Sequence, residues 1–198
     1  MINHINVDKI KILNSIVGRK VNNIFLQKSF LFSADRKKKE INSYYDRGIY
    51  IELEDSYIRI LNNYLENEDY DEYPNFEIEN CKNLVEETDY YKLIPTFIEG
   101  YLEQIAIIND EFTTFYSDEV NSIDIAIKLI IDGKIYYIIA WDAIQGDLSL
   151  IDKSVIGEEF YHVIRSQLSK FWINKDIDLR YFYRKEIPIN DRLNECIS

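Results

Sequence analysis

The chain has 198 residues, 46% of them hydrophobic and 29% charged, which is enough apolar side chain to bury a sizeable core. Six glycines and three prolines exclude a collagen-like or Pro/Gly-rich disordered chain, and the longest uncharged apolar run, IYYIIAW (135–141), is too short to span a bilayer. A formal net charge of −12 argues against a nucleic-acid binder, which needs Lys and Arg to neutralise phosphates.

Taken in chain order, Val7, Ile10, Leu13 and Val17 recur three or four apart and predict a helix, with Asp8 as its cap and Gly18 as its stop. KVNNIFLQ (20–27) alternates and runs into SFLFS, which predicts one bent strand or two. DRKKKE (35–40), including the run Arg36 to Lys39, reads as a solvated loop or hairpin tip. GIYIELED (48–55) puts Ile49, Ile51 and Leu53 on one side and Tyr50, Glu52 and Glu54 on the other; SYIRILNN (56–63) returns beside it as a hairpin. After the acidic stretch ENEDYDEYPNFEIEN (66–80) comes LIPTFIEGYLEQIAII (93–108), where Pro95 limits any helix. IDIAIKLIIDGKIYYIIAW (123–141) is the strongest hairpin signal, because Asp132-Gly133 favours the positive backbone angles of a tight primed turn. GEEFYHVIRSQLSKFW (157–172) spaces Phe160, Ile164, Leu168 and Phe171 or Trp172 as an amphipathic helix, and DLRYFYRKEIPI (178–189) reads as a last strand closed by Pro188.

These elements predict an α+β fold, mostly antiparallel sheet, with an N-terminal helix and a C-terminal amphipathic helix. The order also suggests a repeat. Val17, Val21, Ile24 and Leu26 align with Ile98, Leu102, Ile105 and Ile107, and Ile49, Ile51 and Leu53 align with Ile125, Ile127 and Leu129. The expectation is one domain, 1–198, built from two related halves (about 7–63 and 93–145) plus a C-terminal helix-strand extension. The N-terminus has no secretory signal, and Cys81 and Cys196 read as free thiols, so the expected location is the cytoplasm, and the richness in Ile, Asn, Lys and Tyr fits a bacterial one.

Catalytic motifs fail on inspection. P-loop, dinucleotide fingerprint and nucleophile elbow are absent from the sequence. Glu158, Glu159 and His162 share one predicted helix, where they read as a surface cluster; Cys81 with His162 as its base has nothing in the sequence to bring the two together. Asp124 and Lys128 with Glu52 or Glu54 form an incomplete metal-nuclease pattern. Asp69, Asp71 and Glu77 imitate a calcium loop, but Pro74 and Asn80 stand where that loop requires Gly and Glu. No catalytic, cofactor-binding or metal-binding residue is therefore expected.

Charge points elsewhere. Residues 1–48 carry ten Lys/Arg against four Asp/Glu, residues 49–89 two against thirteen, and residues 90–198 eleven against eighteen. Within 66–89, ten acidic residues meet one lysine, Lys82, yet Tyr70, Tyr73, Phe76, Ile78, Leu84 and Val85 supply apolar anchors that a solvating tract lacks. A surface of carboxylates and aromatics suits docking onto a cationic protein.

The segments GRKVNNIFL (18–26) and GIYIELEDSYIRI (48–60) resemble small bacterial immunity proteins, the protectors against contact-dependent-inhibition and other polymorphic toxins. The resemblance covers about residues 16–62, with an echo at 97–141; the long acidic insert and the C-terminal extension depart from the shortest members. It implies a non-enzymatic, cytoplasmic inhibitor of one cognate toxin domain, and a cationic nuclease is the toxin class that the acidic surface fits. Members share no fixed functional residues, so the site comes from the charge alone: Asp69, Tyr70, Asp71, Glu72 and Tyr73 as contacts, Glu66 and Glu68 as steering charges. The competing expectation is an accessory or structural protein of a mobile element that binds a basic host protein. Neither expectation involves nucleic acid, membrane or cofactor.

Overall fold

The computed structural model describes residues 2–32, 39–41, 46–63, 65–66, 72–84, 90–114, 117–140, 147–156 and 179–197. After a short strand β1 (Ile2–Asn3), helix α1 (Val7–Ser15) is opened by Asn6, whose side chain accepts from the Lys9 backbone N–H at 3.0 Å. Asn6 and not Asp8 is thus the cap; Asp8 stands in the first turn, where a carboxylate favours the helix dipole. The helix ends before Gly18, whose φ of +83° reverses the chain.

The expected bent strand is two strands. β2 (Lys20–Val21) pairs with the start of β11 (Gly100–Thr114), whereas β3 (Asn23–Phe32) joins a different sheet. The switch occurs at Asn22, whose N–H donates to the Glu52 carbonyl at 2.8 Å. On the other side of this corner, Gly100 has φ +139°, and an added Cβ would lie 2.3 Å from Asp132 Oδ2. Only glycine fits there, because the Asp132 carboxylate approaches to accept from the Tyr101 N–H at 2.9 Å.

The remaining strands are β4 (Lys39–Ile41), β5 (Gly48–Glu52), β6 (Tyr57–Asn62), β7 (Leu65–Glu66), β8 (Glu72–Tyr73), β9 (Phe76–Cys81), β10 (Tyr91–Pro95), β12 (Ser117–Ile131), β13 (Lys134–Ala140), β14 (Leu148–Asp152) and β15 (Leu179–Pro188). A short helix, α2 (Lys153–Ile156), follows β14, and α3 (Ile189–Ile197) follows β15. The fold is α+β, mostly antiparallel sheet, with one helix near each end of the described chain. The helix expected at 157–172 lies outside the described residues. The C-terminal helix seen here starts directly after Pro188, at the point where the sequence reading stopped.

The first sheet runs β10-β3-β5-β6-β9, with β4 against β3; the second runs β14-β13-β12-β11-β15, with β1 and β2 attached. Both share one plan. Four strands meander antiparallel (β3, β5, β6, β9 and β11, β12, β13, β14), and a fifth returns beside the first (β10 and β15). The aligned residues Ile24 and Ile105 lie on the first strands of the two meanders, Ile51 and Ile127 on the second.

One contiguous core joins the sheets and helices. Ile10, Leu13 and Ile16 from α1 and its end meet Ile24, Ile51, Ile58 and Ile78 of the first sheet, Leu102, Ile107, Ile127 and Ile138 of the second, and Ile189 of α3. The hairpins follow the alternation: Ile49 faces Ile60 and Ile51 faces Ile58, while Asp132 (φ +45°) and Gly133 (φ +72°) form the primed turn between β12 and β13. Tyr50 departs from it. Expected on the polar face, it is fully buried opposite Arg59, with its hydroxyl 3.4 Å from Gln27 Oε1. A bridge between Asp46 and Leu148 ties the two sheets together, each donating its N–H to the other's carbonyl at 2.8 Å. Among the described residues, no helix is long and apolar enough to cross a membrane.

Candidate functional site: an acidic hairpin and a buried polar network

The acidic stretch is the end of the β6–β9 hairpin. β6 and β9 pair in register from Tyr57↔Cys81 to Asn62↔Phe76, and β7 and β8 prolong the ladder with Leu65↔Tyr73 and Glu66↔Glu72. Its neck is tied down from three directions. Asn63 N–H donates to the Asn75 carbonyl at 2.8 Å, Asn3 Nδ2 to the Pro74 carbonyl at 2.6 Å, and Asn62 Nδ2 to the Asp147 carbonyl at 3.3 Å. Tertiary contacts from β1 and from the second sheet therefore fix where the hairpin leaves the body.

At the base of this stretch the charge is met within the molecule. On β9, Glu77 sits 2.8 Å from Lys9 Nζ and Glu79 lies 3.3 Å from Arg59 Nη1, so each has a cation of its own. Phe76 and Ile78, expected as anchors for a partner, are both 2% exposed and belong to the core. They are corrected to structural residues: alternation set them on one face, and α1 covers that face. Farther out, the register sets Glu66 opposite Glu72, a like-charge pairing that weakens a ladder. Glu68, Asp69, Tyr70 and Asp71 lie outside the described residues, as do Arg36, Lys37, Lys38 and Val85; Lys39 is on β4.

A second concentration of polar groups lies on the extended parts of β11 and β12, and nothing in the sequence reading assembled it. The Asp124 carboxylate is 2% exposed as a residue and accepts from Ile5 N–H (2.8 Å), Asn109 Nδ2 (2.8 Å) and Arg192 Nη2 (2.5 Å). Arg192 reaches it from α3 and also donates to Glu195 at 2.8 Å. Ser122 Oγ lies 3.1 Å from Asn109 Oδ1 and 2.8 Å from His4 Nε2.

That last contact is the distance of a nucleophile and its base, but its polarity is the reverse of what a base requires. Ionised Asp124 only accepts, so it turns the Asn109 amide nitrogen toward itself and leaves Asn109 Oδ1 toward Ser122. Oδ1 also only accepts, so the Ser122 hydroxyl proton goes to Asn109. Ser122 Oγ is then left to accept, and His4 Nε2 donates to it. A general base must take the serine proton instead. Burial lowers the His4 pKa below its ordinary value; Asp124 opposes the shift and Arg192 adds to it. The network therefore works as a clamp that holds the N-terminal segment and α3 on the second sheet.

The other chemical candidates also find structural partners. Lys128 bonds Glu186 at 2.6 Å and Glu52 accepts from the Tyr57 hydroxyl at 3.1 Å, so the nuclease pattern with Asp124 does not form. Burial, and then the Glu79 carboxylate, push the Cys81 thiol up, away from thiolate chemistry. Cys81 and Cys196 are both free. Glu158, Glu159 and His162 lie outside the described residues. Among the described residues, no three His, Cys, Asp or Glu side chains gather as a metal site. At the sheet junction, burial raises the Asp46 pKa while Lys28, 2.6 Å away, counters it. A groove of about 400 Å³ is lined by Arg19, Lys20, Asn22, Glu54 and Tyr101, and Arg19 is itself paired with Asp55.

The chain matches no known family, and comparison with curated proteins and with solved structures gives no significant match.

Proposed function

We propose that the protein is an immunity protein, a non-catalytic cytoplasmic inhibitor that binds a cognate toxin domain through the tip of the acidic hairpin, residues 65–73. One observation supports the reading best: the register at the hairpin tip sets two glutamates opposite each other. At its base Glu77 and Glu79 have their own cations. At its tip the ladder opposes Glu66 to Glu72, a pairing that costs local stability and so favours a cationic surface that would relieve it. A cationic nuclease cleft, built to hold phosphates, is the complementary class. Asp69, Tyr70, Asp71, Glu72 and Tyr73 are the contacts, and Glu66 and Glu68 steer the approach.

The test is charge reversal of Glu68, Asp69, Asp71 and Glu72 to lysine, with binding measured to the product of the adjacent gene. Association is expected to slow by about tenfold or more at low ionic strength, and its salt dependence to flatten. An unchanged rate with an unchanged salt slope removes the hairpin tip from the interface.

A further inference from the structure

Among the described residues, β15 is the outermost strand of its sheet, with β11 on its inner side. Three consecutive residues on it are aromatic and open to solvent: Tyr181 is 49% exposed, Phe182 40% and Tyr183 51%. Successive side chains of a strand point to opposite faces, so this segment exposes side chains on both faces, and among the described residues no strand pairs with its outer edge. An open edge is a template for another strand, and proteins usually blunt it with proline, bulges or free lysines. From Tyr181 to Tyr183 this segment has none of these; a register shift against β11 follows at Arg180. Its pairing with β11 runs without a shift from Pro188 to Tyr181, and the proline lies at the far end. The two cations that follow it are already engaged. Arg184 holds Asp110 with two hydrogen bonds, 2.6 and 2.7 Å, and Lys185 holds Glu111 at 2.6 Å. Arg184 also lies over the Phe182 ring, 5.4 Å from its centroid, which pre-positions that ring.

The order Arg180-Tyr181-Phe182-Tyr183-Arg184 reads the same in both directions. An antiparallel strand of identical sequence, centred on Phe182, therefore sets an aromatic opposite an aromatic from Tyr181 to Tyr183. Phe182 faces Phe182 of the second copy, and each Tyr181 faces a Tyr183; such aromatic cross-strand pairs stabilise a sheet. A two-fold interface places the same patch of both copies face to face, so a second copy brings its own aromatic partners to this edge. We propose that β15 pairs with β15 of a second copy of this chain about a two-fold axis at Phe182, joining two seven-stranded sheets into one. This interface uses no residue of the acidic hairpin.

Sedimentation velocity on the full chain tests it over about 1–100 μM, a range that brackets a micromolar dimer. The expected species is twice the 23.7 kDa chain mass. Phe182→Lys, or Tyr181→Glu if the first variant misfolds, is expected to weaken the dimer at least tenfold while the far-UV spectrum stays unchanged. Oxidative cross-linking fixes the register in a background with Cys81 and Cys196 changed to Ser. Residues directly opposite lie about 4.5–5.5 Å apart between Cα atoms, inside the range of about 4.4–6.8 Å that a disulfide spans. Phe182→Cys should therefore cross-link alone, whereas Tyr181→Cys should do so only when mixed with Tyr183→Cys. A wild-type chain that remains monomeric across the range, or Tyr181→Cys alone cross-linking as well as Phe182→Cys, overturns the proposal.

Discussion

The two sheets share one strand order and end differently. In the second, β11 and β12 are each 15 residues long, and their extended part carries Asn109, Asp110, Glu111, Ser122 and Asp124. Charges there are matched within the molecule: Asp110 by Arg184, Glu111 by Lys185 and Asp124 by Arg192. In the first, β5 and β6 have five and six residues, and the extension is the β7–β8 ladder, where the register opposes Glu66 to Glu72. The contrast separates two uses of carboxylates on a common scaffold. One set holds β15, α3 and the N-terminal segment to the body, whereas in the other the register alone sets two glutamates opposite each other.

The largest effect that would break this contrast comes from Asp124→Ala. It strands Arg192, 3% exposed, together with the Ile5 N–H and the Asn109 amide, and should cost about 3–5 kcal/mol in urea unfolding. Next is the corner where β2 meets β11. Gly100→Ala forces a Cβ onto the Asp132 carboxylate at an unfavourable φ and should cost about 1–3 kcal/mol by the same measurement. A smaller effect follows from His4. Its folded pKa lies below its unfolded value, so the unfolded chain binds more protons in the window between the two. Stability should accordingly fall as pH drops through that window, and His4→Gln should flatten the fall seen between neutral and mildly acidic urea titrations. The groups around it, Asp124, Arg192, Glu195 and Lys185, remain in both proteins, so the difference isolates the imidazole. Smallest, and opposite in sign, Glu66→Gln with Glu72→Gln should leave stability unchanged or raise it by about 0.5 kcal/mol, because a like-charge cross-strand pair is removed. A clear loss of stability would place those residues with the clamped carboxylates of the second sheet.

Local signals settled the elements whose physics is local. Asp132-Gly133 marked its turn because few other residue pairs accept two positive φ values, and the alternation at 48–60 fixed the pairing of Ile49 with Ile60 because a strand has a period of two. Helix α1 and the last strand, ending at Pro188, were legible for similar reasons. Helix α3 is harder to read from sequence: Ile189 and Leu193 stand four apart and Asp191 sits in the first turn, but Pro188 closes a strand as readily as it opens a helix.

Chain order and periodicity thus determined which residues share a face, and they stop there. What covers that face was decided by packing between distant segments. Alternation could not tell that Tyr50 would be buried, or that Phe76 and Ile78 would lie under α1 instead of meeting a partner. Nor could spacing bring Asp124 to Arg192, 68 residues away on a helix of its own. A carboxylate's role depends on which cation reaches it, and only the tertiary fold sets that distance.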